Sequence, residues 1–306
     1  MKKIFIAALV LLTLGLKAQQ LAMFTEYMYN EVTINPAYAG SHEVISATVL
    51  GRRQWVGKDF DGAPQTYSFN IHGPLRNKRI GLGLSLIQDK LAVDQNFNAM
   101  ASASYIIPFK NSDLHFGLQL GAASHVTDYS GLDVYDADDQ NLVSGGSGIL
   151  PNLGIGMYYF AKKFYVGISA PQLRNNTLEV SGKKIAEQRR HYFFNTGYVF
   201  DLSPMFKFKP TLFFKYVENS DPQFDFTGSL IIKEMFWVGG AFRTAIKSSD
   251  AISVLLGFQV SNQFKLGYSY DFTQSSLNAF TNGSHELVLN YRFSFDKGNM
   301  VTPRYF

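Results

Sequence analysis

The sequence predicts an all-β fold, an antiparallel transmembrane β-barrel of about 14 strands in an outer membrane. Three observations predict it: an export-type N-terminus with no later apolar span, a composition rich in aromatics and glycine but poor in charge, and a long run of short strands with period-two alternation.

The export signal comes first. Lys2 and Lys3 precede an apolar and small-residue run from Ile4 to Leu16, and Leu16-Lys17-Ala18 closes it in a small-residue cleavage context. Residues 1–18 therefore read as a signal peptide, with Gln19 as the new N-terminus. That run is too short to span a bilayer, and no later stretch of roughly 20 apolar residues follows. The chain has no cysteine, so a lipid-modified N-terminal cysteine, disulfides and thiolate metal sites are all excluded.

Composition then favours one barrel over two soluble domains. The 27 Phe, 17 Tyr and 26 Gly accompany only 17% charged residues, and barrels place aromatics in girdles at both membrane interfaces. The net charge of +4 is scattered. Without a basic cluster or recognition motif it does not indicate nucleic acid.

Strands follow from the alternation. Ile80, Leu82, Leu84 and Leu86 oppose Gly81, Gly83 and Ser85; Leu153, Ile155, Met157 and Tyr159 oppose Asn152, Gly154, Gly156 and Tyr158; Phe264, Leu266, Tyr268 and Tyr270 oppose Lys265, Gly267, Ser269 and Asp271. In a membrane barrel the apolar face meets acyl chains and the small or polar face lines the lumen. Glycine on the second face implies close approach or a packed interior. Lys215, Lys265, Asp271 and Arg292 alternate with outward apolar positions and should face the lumen, since a midplane Arg or Lys facing lipid costs roughly 2 to 4 kcal/mol. Odd-numbered connections run roughly 5 to 23 residues and even-numbered ones roughly 2 to 6. Short periplasmic turns alternating with longer surface loops give this pattern and put both termini in the periplasm. The expected layout is a periplasmic segment over 19–41, the barrel over 42–295 and a periplasmic tail over 296–306.

One stretch is neither signal, strand nor ordinary linker: Met23-Phe24-Thr25-Glu26-Tyr27-Met28-Tyr29-Asn30, then Ile34-Asn35-Pro36-Ala37-Tyr38-Ala39-Gly40. It resembles the N-terminal signature of the PorP/SprF family, outer-membrane proteins associated with the type IX secretion system and gliding motility of Bacteroidota. Glu26 stands where that family usually has Gln. The resemblance continues through Arg53-Gln54-Trp55-Val56-Gly57 and Gly62-Ala63-Pro64-Gln65-Thr66, with His72-Gly73-Pro74 departing slightly from the usual context. Gly81-Leu82-Gly83 with Asp89-Lys90, Phe164 to Ser169 and Gly283-Ser284-His285-Glu286 extend it over nearly the whole mature chain. The first stretches carry its specificity.

The resemblance implies binding rather than catalysis. One branch of the family partners a large secreted adhesin through its C-terminal sorting domain; the other associates with periplasmic lipoproteins and a peptidoglycan-binding protein. Membrane lipid is a partner of either, and no cofactor is implied. Tyr27, Asn30, Asn35, Pro36, Tyr38 and Trp55 are the candidate partner-binding residues. Two plainer readings stand beside them: a tight turn that packs Tyr38 under the barrel, and Trp55 as part of the outer aromatic girdle. The competing function is a porin-like or hydrophobic-ligand transporter, which should carry a plug of roughly 40 residues where about 23 are available here.

No catalytic arrangement stands out. Gly-x-Ser-x-Gly is absent, and the six histidines lack zinc-ligand spacing. A lipid-boundary His115 beside a serine of a neighbouring strand is the one arrangement the sequence leaves open. Asp133, Asp136, Asp138 and Asp139 in the third surface loop are the best metal candidate, a weak one without the spacing or final Glu of a calcium-binding EF-hand; a solvated acidic loop is the plainer reading.

Overall fold

The computed structural model describes residues 21–57, 62–128, 146–180, 183–246, 248–279 and 281–293. The expected signal peptide, the candidate metal loop Asp133, Asp136, Asp138 and Asp139, and the tail 296–306 lie outside the described residues.

The strands, in chain order, are β1 (Ile45–Arg53), β2 (Gln65–Pro74), β3 (Ile80–Leu91), β4 (Asp94–Pro108), β5 (Ser112–Thr127), β6 (Gly146–Ala161), β7 (Phe164–Gln172), β8 (Asn176–Val180), β9 (Lys183–Gln188), β10 (His191–Tyr198), β11 (Phe200–Asp201), β12 (Phe206–Val217), β13 (Gln223–Ile232), β14 (Phe236–Ala245), β15 (Ser248–Gln259), β16 (Phe264–Thr273) and β17 (Ser284–Phe293). Each long strand pairs antiparallel with its neighbours, β10 pairs with β12, and β1 pairs with β17. The result is a closed barrel of 14 strands with no open edge. β8 and β9 form a separate hairpin within the connection from β7 to β10, and β11 is a two-residue extension paired to β12.

The alternation read from sequence is the inside–outside alternation of the wall. Leu82, Leu84, Leu118, Leu120, Ile155 and Leu256 are exposed outward, while Ser85, Gln119, Asn152, Ser253 and Ser269 are buried inward. Outward aromatics gather in two belts. Tyr67, Phe97, Tyr192, Phe242 and Phe272 lie towards one mouth; Tyr105, Phe164, Tyr198, Phe206, Phe236 and Tyr291 lie towards the other. That spacing matches the two interfaces of a bilayer.

The first mouth carries the longer connections, 54–64, 128–145, 173–190 and 274–283, and the second carries turns such as 109–111 and 162–163. Two connections expected to be roughly 6 and 7 residues long at the long-loop mouth are instead shorter, because β3 extends to Leu91 with β4 starting at Asp94, and β14 extends to Ala245 with β15 starting at Ser248. Asp89 and Lys90 belong to β3 and Gln95 and Asn96 to β4, and the ladder runs to its tip, with Lys90 opposite Gln95 and Leu91 opposite Asp94. β4, β5 and β6 have 15, 16 and 16 residues. A tilted strand crosses the bilayer in about 9 to 11 residues, so these hairpins project past the membrane, where polar side chains carry no penalty on either face.

Candidate functional site: a plugged lumen with a chamber at each mouth

The segment before β1 is inside the barrel. Three short helical turns, Tyr27–Tyr29, Glu31–Ile34 and Pro36–Tyr38, fold it into a compact plug. Asn35 starts the last of them by accepting a hydrogen bond from Ala37 N–H at 3.0 Å, with Pro36 at the first helical position, where its missing N–H costs nothing. Gly40, at φ +74, supplies the left-handed residue that turns the chain towards β1. A plug enclosed by protein must have its polar groups satisfied by the wall, and that requirement explains which lumenal residues are polar.

At the long-loop mouth the partners are charges. Arg52 reaches Thr25 Oγ1 at 2.8 Å, Glu286 at 2.8 Å and Asp271 at 2.7 Å. Glu286 accepts from the backbone N–H groups of Thr25 at 3.0 Å and Glu26 at 2.7 Å. Asp225 pairs with Lys215 at 2.8 Å and Arg243 at 3.2 Å, and Arg243 donates to Phe24 O at 3.4 Å. Three cations and three carboxylates thus clamp the backbone of Phe24–Glu26. Burying ions this deeply is tolerable only because each finds opposite charge and further hydrogen bonds.

Mid-lumen the partners are amides and hydroxyls. Asn30 donates to Ser68 Oγ at 3.1 Å and accepts from Asn70 at 2.6 Å. Tyr27 shares a 2.8 Å hydrogen bond with Thr211. Both carboxylate oxygens of Glu31 accept from Asn195, at 3.0 and 2.8 Å.

Towards the short-turn mouth the fit is steric. Asn35 donates to the carbonyls of Met157 and Ile168, His115 bonds Ala37 O at 3.1 Å, Ser104 donates to Ala39 O at 2.5 Å, and Gly40 N–H donates to His72 at 3.2 Å. Tyr38 packs edge-on to Tyr158 at 5.4 Å, beside Phe160, His42 and His72. A Cβ on Gly81 would strike the Ala39 carbonyl, one on Gly117 the Pro36–Ala37 backbone, and one on Gly156 the Asn35 amide. These inward glycines are where the wall yields space to the plug.

Among the described residues a chamber lies at each mouth. One, a cavity of about 70 Å³ at the long-loop side, lies among Leu21, Phe24, Ile34, Ile87, Phe193 and Phe213. The other, about 60 Å³, lies below Tyr29 and Val32 and is bordered by Lys209, Trp237, Lys265 and Arg292.

The candidate residues divide accordingly. Tyr27, Asn30, Asn35, Pro36 and Tyr38 are buried in the lumen, bonded to or packed on the wall. Trp55 lies apart from them at the long-loop mouth, at φ +51, its backbone N–H donating to Ser284 Oγ at 3.2 Å. The expected free periplasmic segment is therefore corrected: residues 21–42 run through the barrel. Leu21 borders the long-loop chamber and Phe293 pairs with Ile45 at the short-turn end, so the described chain begins and ends at opposite mouths rather than on one side. The cause is the wall's complementarity to the plug, which local sequence does not reveal. Lys215, Lys265 and Asp271 do face the lumen. His115 is buried against the plug and not at the lipid boundary. Among the described residues no group of three or more His, Asp and Glu is placed to hold a metal ion. The residues that sequence reasoning missed are the clamp, Arg52, Asp225, Arg243 and Glu286, whose signal was charge at inward positions of apolar strands.

Similarity to known proteins agrees with this architecture. The family model described as type IX secretion system membrane protein PorP/SprF matches residues 16–291. Comparison with curated protein sequences finds no match. Among solved structures, the CymD monoaromatic hydrocarbon channel superposes with TM-score 0.57 at 11% identity, over 87% of this chain and 92% of that one. The Ralstonia pickettii toluene transporter TbuX gives TM-score 0.50 at 10% identity, over 87% and 93%. At these identities the likeness shows the fold alone, that of an outer-membrane barrel. The chain belongs to the PorP/SprF family of type IX secretion system membrane proteins, and the molecule is a multi-pass outer-membrane β-barrel.

Proposed function

We propose that this protein is a plugged, non-enzymatic binding module: it retains a secreted cell-surface adhesin at its long-loop mouth through that protein's C-terminal sorting domain and helps in its export or anchoring. The observation that carries the reading is the plug. Residues 24–40 bond to wall strands on opposite sides of the lumen, from β1 and β17 to β7 and β10, and so block the path an open pore needs. A barrel whose interior is taken up by its own chain offers its mouths for binding. In this reading the long connections face outward, the turns face the periplasm, and Trp55 stands where an arriving partner meets the rim.

The clamp adds a reason for retention rather than passage. Its six charges hold the plug where surface load arrives, and such networks yield only when several partners separate together. The periplasmic lipoproteins and peptidoglycan-binding protein associated with the family would meet the opposite mouth. The likeness to hydrocarbon channels supports the competing transporter reading in fold only, and the plug here, residues 21–42, is shorter than the roughly 40 residues such a transporter was expected to carry.

The test is gentle detergent extraction of tagged protein from its native outer membrane, with mass spectrometry of what stays bound. Recovery of a large secreted protein, lost when its C-terminal domain is deleted, supports retention. Recovery of periplasmic lipoproteins alone moves the function to the machinery side. A barrel that emerges alone and conducts steadily in planar bilayers overturns both.

A further inference from the structure

The chamber at the short-turn mouth has a composition that plugging does not explain. Three cations border it, Lys209, Lys265 and Arg292, against one carboxylate, Glu31, which is already held by Asn195. The clamp at the other mouth shows how this wall treats a structural charge: each of Arg52, Lys215 and Arg243 has a carboxylate within 3.2 Å. Lys265 and Arg292 have none within salt-bridge reach among the described residues. Lys265 instead lies over the Trp237 ring at 3.8 Å and the Tyr29 ring at 5.3 Å. Cation–π contacts of this kind fall well short of what desolvating an ammonium costs.

Both side chains are half-buried and lumenal, on adjacent strands β16 and β17, so the two charges stand together, and the carboxylate of Glu26 acts on Lys265 only from beyond ion-pair distance. An ammonium and a guanidinium converging on an open chamber form an arrangement that binds oxyanions, the guanidinium through paired N–H donors. The aromatic wall of Trp237 and Tyr29 offers an apolar surface next to that charge, and Asn290 supplies a further polar group at the border.

We propose that the short-turn chamber is a binding site for an oxyanion, a carboxylate or phosphate group, seated between Lys265 and Arg292 against Trp237. The site is separate from retention of a partner at the long-loop mouth and stands or falls independently of it.

Trp237 reports on the site directly, because an anion that draws Lys265 away alters the field on its ring. In a Trp55→Phe background Trp237 is the only tryptophan. The experiment titrates the purified, detergent-solubilised full barrel with inorganic phosphate, glycerol 1-phosphate, and a tripeptide ending in phenylalanine as its free acid and as its amide, read by Trp237 emission and by calorimetry on the unsubstituted protein. Saturable binding of either phosphate supports the site and assigns a phosphate source. Binding of the free-acid peptide but not its amide supports it and assigns a carboxylate source. In either case Lys265→Met or Arg292→Met should weaken binding at least tenfold, whereas Lys163→Gln, on the exterior turn beside Asp201, should leave it unchanged.

Folding of each variant is checked by heat-modifiable gel mobility. If the two cations are unpaired, removing either should leave the unfolding temperature unchanged or higher, whereas a structural ion pair would lower it. Absence of a saturable signal with all four probes, binding indifferent to Lys265→Met and Arg292→Met, or a lowered unfolding temperature in both variants overturns the proposal.

Discussion

Arg52 and Glu286 are direct partners across the seam where the first strand meets the last, joined at 2.8 Å, and Glu286 also accepts the backbone N–H groups of Thr25 and Glu26. Closing the barrel therefore completes the plug's anchor. A hairpin sheet lacking β17 would have Arg52 and Asp271 without the carboxylate that fixes the plug backbone, so docking of residues 24–26 depends on closure.

Arg52→Met should release the plug's leading end without opening the barrel. It leaves Asp271 and Glu286 without their shared cation, and breaking a buried pair on one side costs about 3 to 5 kcal/mol. Because the chain has no cysteine, Val32→Cys makes a unique thiol at a site only 1% exposed. Its labelling by a maleimide should be slow in the parent and about 100-fold or more faster with Arg52→Met. Unchanged labelling would show that the clamp does not hold the plug.

Asn30→Ala should act more mildly at mid-lumen. The substitution strands Ser68 and Asn70, whose buried polar groups lose a partner at about 1 to 3 kcal/mol. The same thiol assay should show roughly tenfold faster labelling, with the barrel's gel mobility unaltered because no strand-to-strand hydrogen bond is touched.

The wall was legible from sequence and its filling was not, for a physical reason. Alternation such as Leu82, Leu84 against Gly81, Gly83 reports on a residue's own two faces, and that fixes strands, the outward apolar belt and the inward charges Lys215 and Asp271. What fills the lumen depends on pairs far apart in sequence, such as Glu31 with Asn195 or Asn35 with the Met157 carbonyl. The inward glycines hinted at close approach, but not at what approaches. Asn35-Pro36-Ala37-Tyr38 was readable as a tight turn, and its place against Tyr158 and Gly117 comes only from the closed barrel.

Gly117→Leu should displace the plug by volume rather than charge. The added side chain enters space held by the Pro36–Ala37 backbone, which is backed by Tyr38 and the opposite wall and cannot yield as a flexible side chain does. Overpacking of this kind costs about 1 to 3 kcal/mol even where neighbours can shift. Gly240→Ala is the control, since the closest atom to its added Cβ lies at 3.7 Å. Planar-bilayer recording should show new opening events with Gly117→Leu and none with Gly240→Ala; equal behaviour of the two would mean that the plug does not rely on this fit.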